Sequence, residues 1–238
     1  NQQAFGFDPK GYLTASIAID RNEFNSPEKI INYYQELSHL IRQSDREIKV
    51  SISSGLPAHN VAKSYLYQVD NDYIDNLNFI NTVNISDNFF DNLSIGMISG
   101  RAFNQQDKLD SPLVVIVTQA LAQAYWPGKA AVGQRIKLSE DATDWYQVVG
   151  VVANLPYGET FDRKDQHKVI FTALKQQPQD SFKLIIKTLS DPYEFSSQLR
   201  AITAQLTSSA APYRIRSLVD AIDQNRASIL YISKMFII

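Results

Sequence analysis

Residues 12–19 read YLTASIAI and residues 26–52 read SPEKIINYYQELSHLIRQSDREIKVSI; together they lay out one structural unit. The first run is extended and rich in residues that favour strands. Ser26 followed by Pro27 is an N-cap with proline at the first helical position, where the missing N–H is not needed. Ile30, Ile31, Tyr34, Leu37, Leu40 and Ile41 then keep a 3.6-residue period to about Gln43, and Ile48 to Ile52 alternates as a second strand. The same order returns in the second half of the chain. Residues 182–188, FKLIIKT, form a strand, and Asp191, Pro192 and Glu194 read as a capping box with Asp in place of Ser or Thr. Phe195, Leu199, Ile202 and Leu206 mark one helix face, and Tyr213 to Ser217 closes the unit as a strand.

Two β-α-β units of matching length, each helix covering one face of a shared sheet, predict a split β-α-β, ferredoxin-like sandwich of the α+β class. Residues 1–57 and 181–227 are assigned to it. The intervening 58–180 is too long for a loop within a compact domain, and carries its own strand and helix signals. It is therefore expected to be an inserted mixed α/β subdomain. Its strands are placed at 62–69, 79–85, 113–117, 135–138, 146–153 and 169–172, with a short helix after Asp87 and another over 119–125.

Composition narrows the function classes. Twenty-three Lys+Arg against 25 Asp+Glu give a net charge of −2, with no basic block to suggest nucleic acid. The absence of cysteine excludes disulfides, thiolate metal sites and a Cys nucleophile; it fits an oxidising compartment, but many cytosolic proteins also lack cysteine, and the compartment stays open on this count. His39, His59 and His167 are dispersed over a helix, a turn and a loop without an i,i+4 pair, so a metal site is not expected. No phosphate-cradling glycine loop and no Gly-x-Ser-x-Gly elbow is present. The carboxylates Asp107/Asp110 and Glu140/Asp141 lie in polar loop stretches and read as solvated surface. No cofactor is implied. The chain opens at Asn1, and Ser228 to Ile238 is an apolar run of eleven residues. As a helix it spans roughly 17 Å, about half a bilayer core. It is read as the start of a truncated transmembrane helix, with an amphipathic C-terminal helix packed on the core as the equal alternative.

Gly100-Arg101-Ala102-Phe103 followed by Asp107, the run Val114 to Tyr125 ending in Trp126-Pro127-Gly128, Val132-Gly133 with Ile136, and the strand Tyr146 to Ala153 around Gly150 form an ordered set. Phe5 to Pro9 and Ser54 to Pro57 add to it. In order and spacing this resembles the periplasmic core domain of MacB-like ABC transporter permeases, the FtsX-like family, with Trp126 where Phe is usual. The resemblance implies a domain on the periplasmic side of the cell inner membrane, between the first two membrane helices. A porter-like subdomain would be interrupted by a second one called Sabre. It implies a partner ATPase, a second permease copy and, as a further candidate, a periplasmic adaptor protein. ATP-driven motion would be passed to a substrate for export or extraction. The family has no catalytic residues in this domain, so none are carried over, and the motif residues are expected to be structural: the glycines as backbone punctuation, Phe103, Tyr125, Trp126 and Trp145 as core aromatics, Arg101 and Asp107 as a pair across their loop.

Two other functions stay open on sequence. One is a free-standing periplasmic module that binds a ligand or protein, against which the apolar tail argues. The other is a hydrolase with dispersed Ser, His and Asp residues.

Overall fold

The computed structural model describes residues 6–59, 61–70, 72–138, 144–158 and 167–235, with side chains left aside at 73, 75–78 and 229–235. The chain divides into two compact units, one of residues 8–54 and 178–238 and the other of 1–7 and 55–177.

The first unit holds strand β1 (Tyr12–Ala18), helix α1 (Pro27–Ser44) and strand β2 (Lys49–Ser53). The Ser26 side chain accepts the Lys29 N–H, and Pro27 opens the helix, as its sequence dictates. After the other unit come the strand Ser181–Lys187, a 3-10 turn Pro192–Phe195, the helix Ser196–Leu206, the strand Tyr213–Ser217 and the helix Leu218–Met235. In chain order across the whole protein these strands are β10 and β11, and the helices α4 and α5. Asp191 caps the 3-10 turn by accepting the Tyr193 N–H, so the helix proper begins four residues later than the capping box suggests. β1 pairs antiparallel with β10 and with β11, and β10 pairs antiparallel with β2. The order β11-β1-β10-β2 is the one that two interleaved β-α-β units produce. Leu13, Ala15 and Ile17 face Ile186, Leu184 and Phe182 in register, and α1 buries Tyr33, Tyr34, Leu37 and Ile41. The Tyr34 ring meets Phe182 edge-on at 4.9 Å, and its hydroxyl accepts the Gln179 N–H at 2.7 Å. Ile19 N–H donates to the Asp180 carbonyl at 2.8 Å. These bonds explain why 178–180 group with the sandwich.

The second unit is built on a ring of strands. A hairpin of β3 (Lys63–Val69) and β4 (Asp72–Ile85) is followed by the short helix α2 (Phe89–Asn92) and strand β5 (Met97–Gly100). Strand β6 (Val114–Thr118), helix α3 (Gln119–Tyr125) and strands β7 (Arg135–Lys137), β8 (Tyr146–Val152) and β9 (Val169–Ala173) complete it. β4 pairs with β3, β3 with β7, β7 with β8, β8 with β6, β6 with β9, and β9 returns to β4. The result is a closed six-stranded barrel with two parallel pairings, β4–β9 and β6–β8. β5 lies on the second half of β8, beyond the end of β7. Leu66, Ile80, Val115, Val117, Ile136, Val148 and Ile170 fill one core with Leu121 and Trp126 from α3 and its cap. All of β9 is buried, because Phe171 points the other way, against Phe90 and Phe89 of α2.

The mixed α/β content expected of residues 58–180 is present, but the barrel closure, β5 and the first half of β4 are new. The apolar run beginning at Ser228 is not a separate element: its described part continues α5, which starts ten residues earlier at Leu218, and 236–238 lie outside the described residues.

Candidate functional site

The motif residues come together on the barrel. β5 ends where the backbone crosses β8. Gly100 is paired with Gly150, and the Arg101 N–H donates to the Val149 carbonyl at 2.9 Å. A Cβ on Gly150 would lie 2.4 Å from the Arg101 carbonyl oxygen, and one on Gly100, which adopts φ +73°, would lie 2.2 Å from that of Val149. Only two glycines let the main chains approach this closely. Gly150 also follows the point where the β6–β8 register shifts by one residue.

Past this crossing the chain turns through a loop closed by one ion pair. Arg101 donates through Nη1 and Nη2 to the two Asp107 carboxylate oxygens at 2.7 and 2.8 Å, and the Asn104 N–H adds a third bond at 2.9 Å. Asp107 is 4% exposed. Burial alone would raise its carboxyl pKa, yet the Arg101 bonds, the Asn104 N–H and nearby positive charge hold it below the usual carboxylate range. Asp107 is therefore not the solvated surface carboxylate its polar loop suggested; with Arg101 it forms a planar, two-bonded clamp with one partner buried. Phe103, inside the same loop, is buried.

Trp126 closes the other end of α3. It is 4% exposed, and its indole Nε1–H donates to Asp70 Oδ2 at 2.9 Å. Asp70 stands in the β3–β4 turn with φ +51°, and its other oxygen accepts the Arg135 N–H of β7 at 2.8 Å. One aromatic side chain thus ties the helix end, the hairpin turn and β7. Pro127 is exposed, and Gly128 and Gly133 are turn positions with open space around them. Tyr125 packs against the core from its margin. Trp145 corrects the expectation of a core aromatic. It is half-buried, with Arg135 Cζ 5.0 Å and Lys137 Nζ 6.0 Å from its ring centre, an arrangement of the strand surface stabilised by cation–π attraction.

The histidines do not meet. His39 is exposed on α1, His59 Nδ1 lies 3.0 Å from the Pro57 carbonyl, and the His167 carbonyl accepts the Thr118 hydroxyl at 2.6 Å. Among the described residues no group of three or more His, Cys, Asp or Glu could hold a metal ion. A cleft of about 430 Å³ opens in the sandwich beside the start of α1, between Phe24, Pro27, Ile30 and Gln179, with Arg21 paired to Asp180. Sequence reasoning missed this cleft because Arg21 and Asp180 are 159 residues apart. It also missed the one-sided charge of the sandwich sheet, although the alternation of SFKLIIK and YRIRS carries that signal.

A barrel carrying the ordered glycine, arginine and aromatic motif, inserted in the sequence between the two β-α-β units of a split sandwich, defines a class of permease domain. Residues 16–222 match the MacB-like periplasmic core domain, and the chain belongs to that family, the periplasmic domains of MacB-like ABC transporter permeases. Its fold is similar to the periplasmic region of MacB from Actinobacillus actinomycetemcomitans, with a TM-score of 0.59 and 15% identity over 95% of this chain and 96% of that one. It is also similar to a domain of a putative permease from Porphyromonas gingivalis, at TM-score 0.56 and 9% identity over 89% and 94%. The extracellular domain of the noncanonic ABC-type transporter YknZ from Gram-positive bacteria matches at 0.51 and 14%, over 85% and 100%. No curated protein matches the chain significantly. Among the described residues no helix is long and apolar enough to cross a membrane.

Proposed function

We propose that this chain is a non-catalytic extracytoplasmic domain of an ABC transporter permease, coupling ATP-driven motion in the membrane part to export or extraction of a substrate. The observation that carries this reading is the family match over residues 16–222, on a chain built as two units with separate cores. Transmitting motion calls for bodies that move without deforming, and densely packed cores respond that way. In this reading the sandwich is the porter-like subdomain and the barrel, near 58–180, the Sabre-like one. Gly100, Arg101, Phe103, Asp107, Trp126, Pro127, Gly128, Gly133 and Gly150 hold the barrel and touch no substrate. ATP is hydrolysed by a separate ATPase domain or subunit. A second permease copy and a periplasmic adaptor are the expected partners, at the periplasmic face of the inner membrane.

The test uses the intact permease with its ATPase in a membrane. With any cysteines elsewhere in the permease and its ATPase replaced, and none in this chain, single cysteines carrying spin labels at the exposed positions Gln123 on α3 and Gln198 on α4 report the distance between two copies. A shift of several ångströms at one position or both, between the nucleotide-free and ATP-bound states, is expected. Identical distance distributions in both states at both positions would refute coupling through this domain.

A further inference from the structure

The sandwich sheet has one apolar face and one basic face. The residues of β1, β2, β10 and β11 that alternate away from Leu13, Val50, Leu184 and their neighbours include Lys49, Lys183, Lys187 and Arg216. Arg214 joins them at the irregularity where the pairing of β11 with β1 shifts, with φ +51°. These four strands contain five cations and no Asp or Glu, in a chain whose acids outnumber its bases. Lys49 and Lys187 stand directly opposite one another across β2 and β10, a pairing of like charges that costs stability. The Lys183 Nζ donates to the Ser16 hydroxyl at 2.8 Å and lies 5.9 Å from the Tyr213 ring centre, with Arg214 Cζ at the same distance from that ring. Burial, and then the charges of Arg214 and Arg216, lower the Lys183 pKa. The Arg216 Nε is buried without a hydrogen-bond partner among the described residues, while its Nη1 donates to Gln224 Oε1 on α5 and its charge is felt by Asp220 of the same helix. Tyr213 is 41% exposed, Arg214 is exposed, and Lys183, Lys187 and Arg216 are half-buried, so these long side chains are the part of this side that a partner can reach; Thr14, Ser16, Ser51 and Ile185 between them are buried.

Spacing says what shape of anion fits. Lys183 and Lys187 are four residues apart on one strand, roughly 13 Å, and β11 lies two strand spacings, roughly 10 Å, from β10. A single phosphate or carboxylate reaches one or two of these groups. An extended chain, whose alternate side chains repeat at nearly 7 Å, reaches all of them. We propose that the face formed by Lys183, Lys187, Tyr213, Arg214 and Arg216 docks an acidic extended segment of a partner protein, its carboxylates matched to the cations and Tyr213 packing beneath its backbone. This goes beyond the coupling reading and does not depend on it.

Fluorescence anisotropy on the 238-residue chain tests it. The probe is a labelled ten-residue peptide of alternating Glu and Thr, with a Gln-for-Glu peptide, inorganic phosphate and phosphatidylglycerol vesicles as the other arms. Expected are saturable binding of the acidic peptide that weakens with salt, at least tenfold loss in the Lys183→Gln/Arg216→Gln variant, and about threefold loss in Arg214→Gln, whose exposed side chain leaves folding untouched. Circular dichroism melts check that both variants are folded. The proposal is overturned by absent or non-saturable binding, by equal binding of the Gln peptide, or by unchanged affinity in both variants. It is equally overturned if phosphate displaces the peptide at comparable concentration, or if vesicles bind where the peptide does not.

Discussion

Substituting Trp126 separates two roles that the barrel assigns to one side chain. Its ring is buried in the barrel core, and its Nε1–H bonds to Asp70. Trp126→Ala removes both, and a buried aromatic truncated to Ala costs about 3–5 kcal/mol. Trp126→Phe, the residue usual at this place in the family, keeps most of the plug and loses only the bond. A hydrogen bond to a charged group contributes about 1.5–3 kcal/mol when enclosed. Asp70 is partly reached by water, which rehydrates the freed oxygen, so the expected cost is nearer about 1–2 kcal/mol. For a unit of this size that lowers the melting midpoint by roughly 4–8 °C. Urea unfolding followed by far-UV circular dichroism, which does not depend on the tryptophan's own fluorescence, gives both values. Combining Trp126→Phe with Asp70→Asn should cost about 1 kcal/mol less than the sum of the single changes, because they break one bond. If Trp126→Phe falls within about 0.3 kcal/mol of wild type, or the cycle is additive, the tether between α3 and the β3–β4 turn is idle and the reasoning fails; a Trp126→Ala cost below about 1.5 kcal/mol would remove the plug as well.

Four further outcomes are expected. Gly150→Ala drives a methyl group against the Arg101 carbonyl and should cost about 2–3 kcal/mol, whereas Gly128→Ala, with open space but φ +73°, should cost only about 1 kcal/mol; equal costs in chemical denaturation would contradict the close crossing. Asp107 titrates below its unfolded value, so its contribution is present above about pH 4 and lost as pH falls through the folded pKa. Asp107→Asn should therefore destabilise at pH 7 and match wild type near pH 2, and a gap constant across that range would rule out the ionised pair. Lys183 titrates below its unfolded value because the fold disfavours its charge, a penalty present at neutral pH and relieved as pH rises towards about 10. Lys183→Met should then melt no lower than wild type at pH 7, and wild type should gain on it as pH rises through the lowered Lys183 pKa towards its unfolded value of about 10; a clear loss at pH 7 would mean that the Ser16 bond dominates. Replacing residues 55–177 with a short flexible linker should leave a sandwich that melts cooperatively, and loss of its secondary structure would show that its core is not independent.

The parts of the fold legible in the sequence are those written in local chemistry. Ser26-Pro27 and Asp191-Pro192 mark helix starts, and the alternation in β1, β2 and β10 sorts two faces; these signals operate within a few residues. The first half of β4, DYIDNLN, is rich in Asp and Asn and has no strand propensity of its own; its hairpin partner β3 imposes the conformation. β5 is four residues long and is held as a strand by the Gly100–Gly150 approach, which no single-strand pattern encodes. Parallel pairings such as β6 with β8 join residues about thirty apart through an intervening helix, so ring closure was invisible locally. The start of α5 was readable and overlooked: Ser217 accepts the Asp220 N–H at 3.1 Å, the Ser-x-x-acid spacing of a helix start. For the candidate site, the motif named its residues but not their contacts. That Arg101 finds Asp107 followed from proximity; that Trp126 finds Asp70, 56 residues back, did not.

The closed ring also sets a timetable for the nascent chain. Each residue from Asn81 to Ile85 of β4 is made 88 residues before its barrel partner on β9, Val169 to Ala173. At elongation rates of about 5–20 residues per second that interval is roughly 4–18 s. Throughout it the barrel can be no more than an open sheet with an unsatisfied edge, the form most prone to pair with a neighbouring chain. The seam between β4 and β9 is therefore where assistance during synthesis matters most, and where a slow stretch of translation before residue 169 would do the most harm.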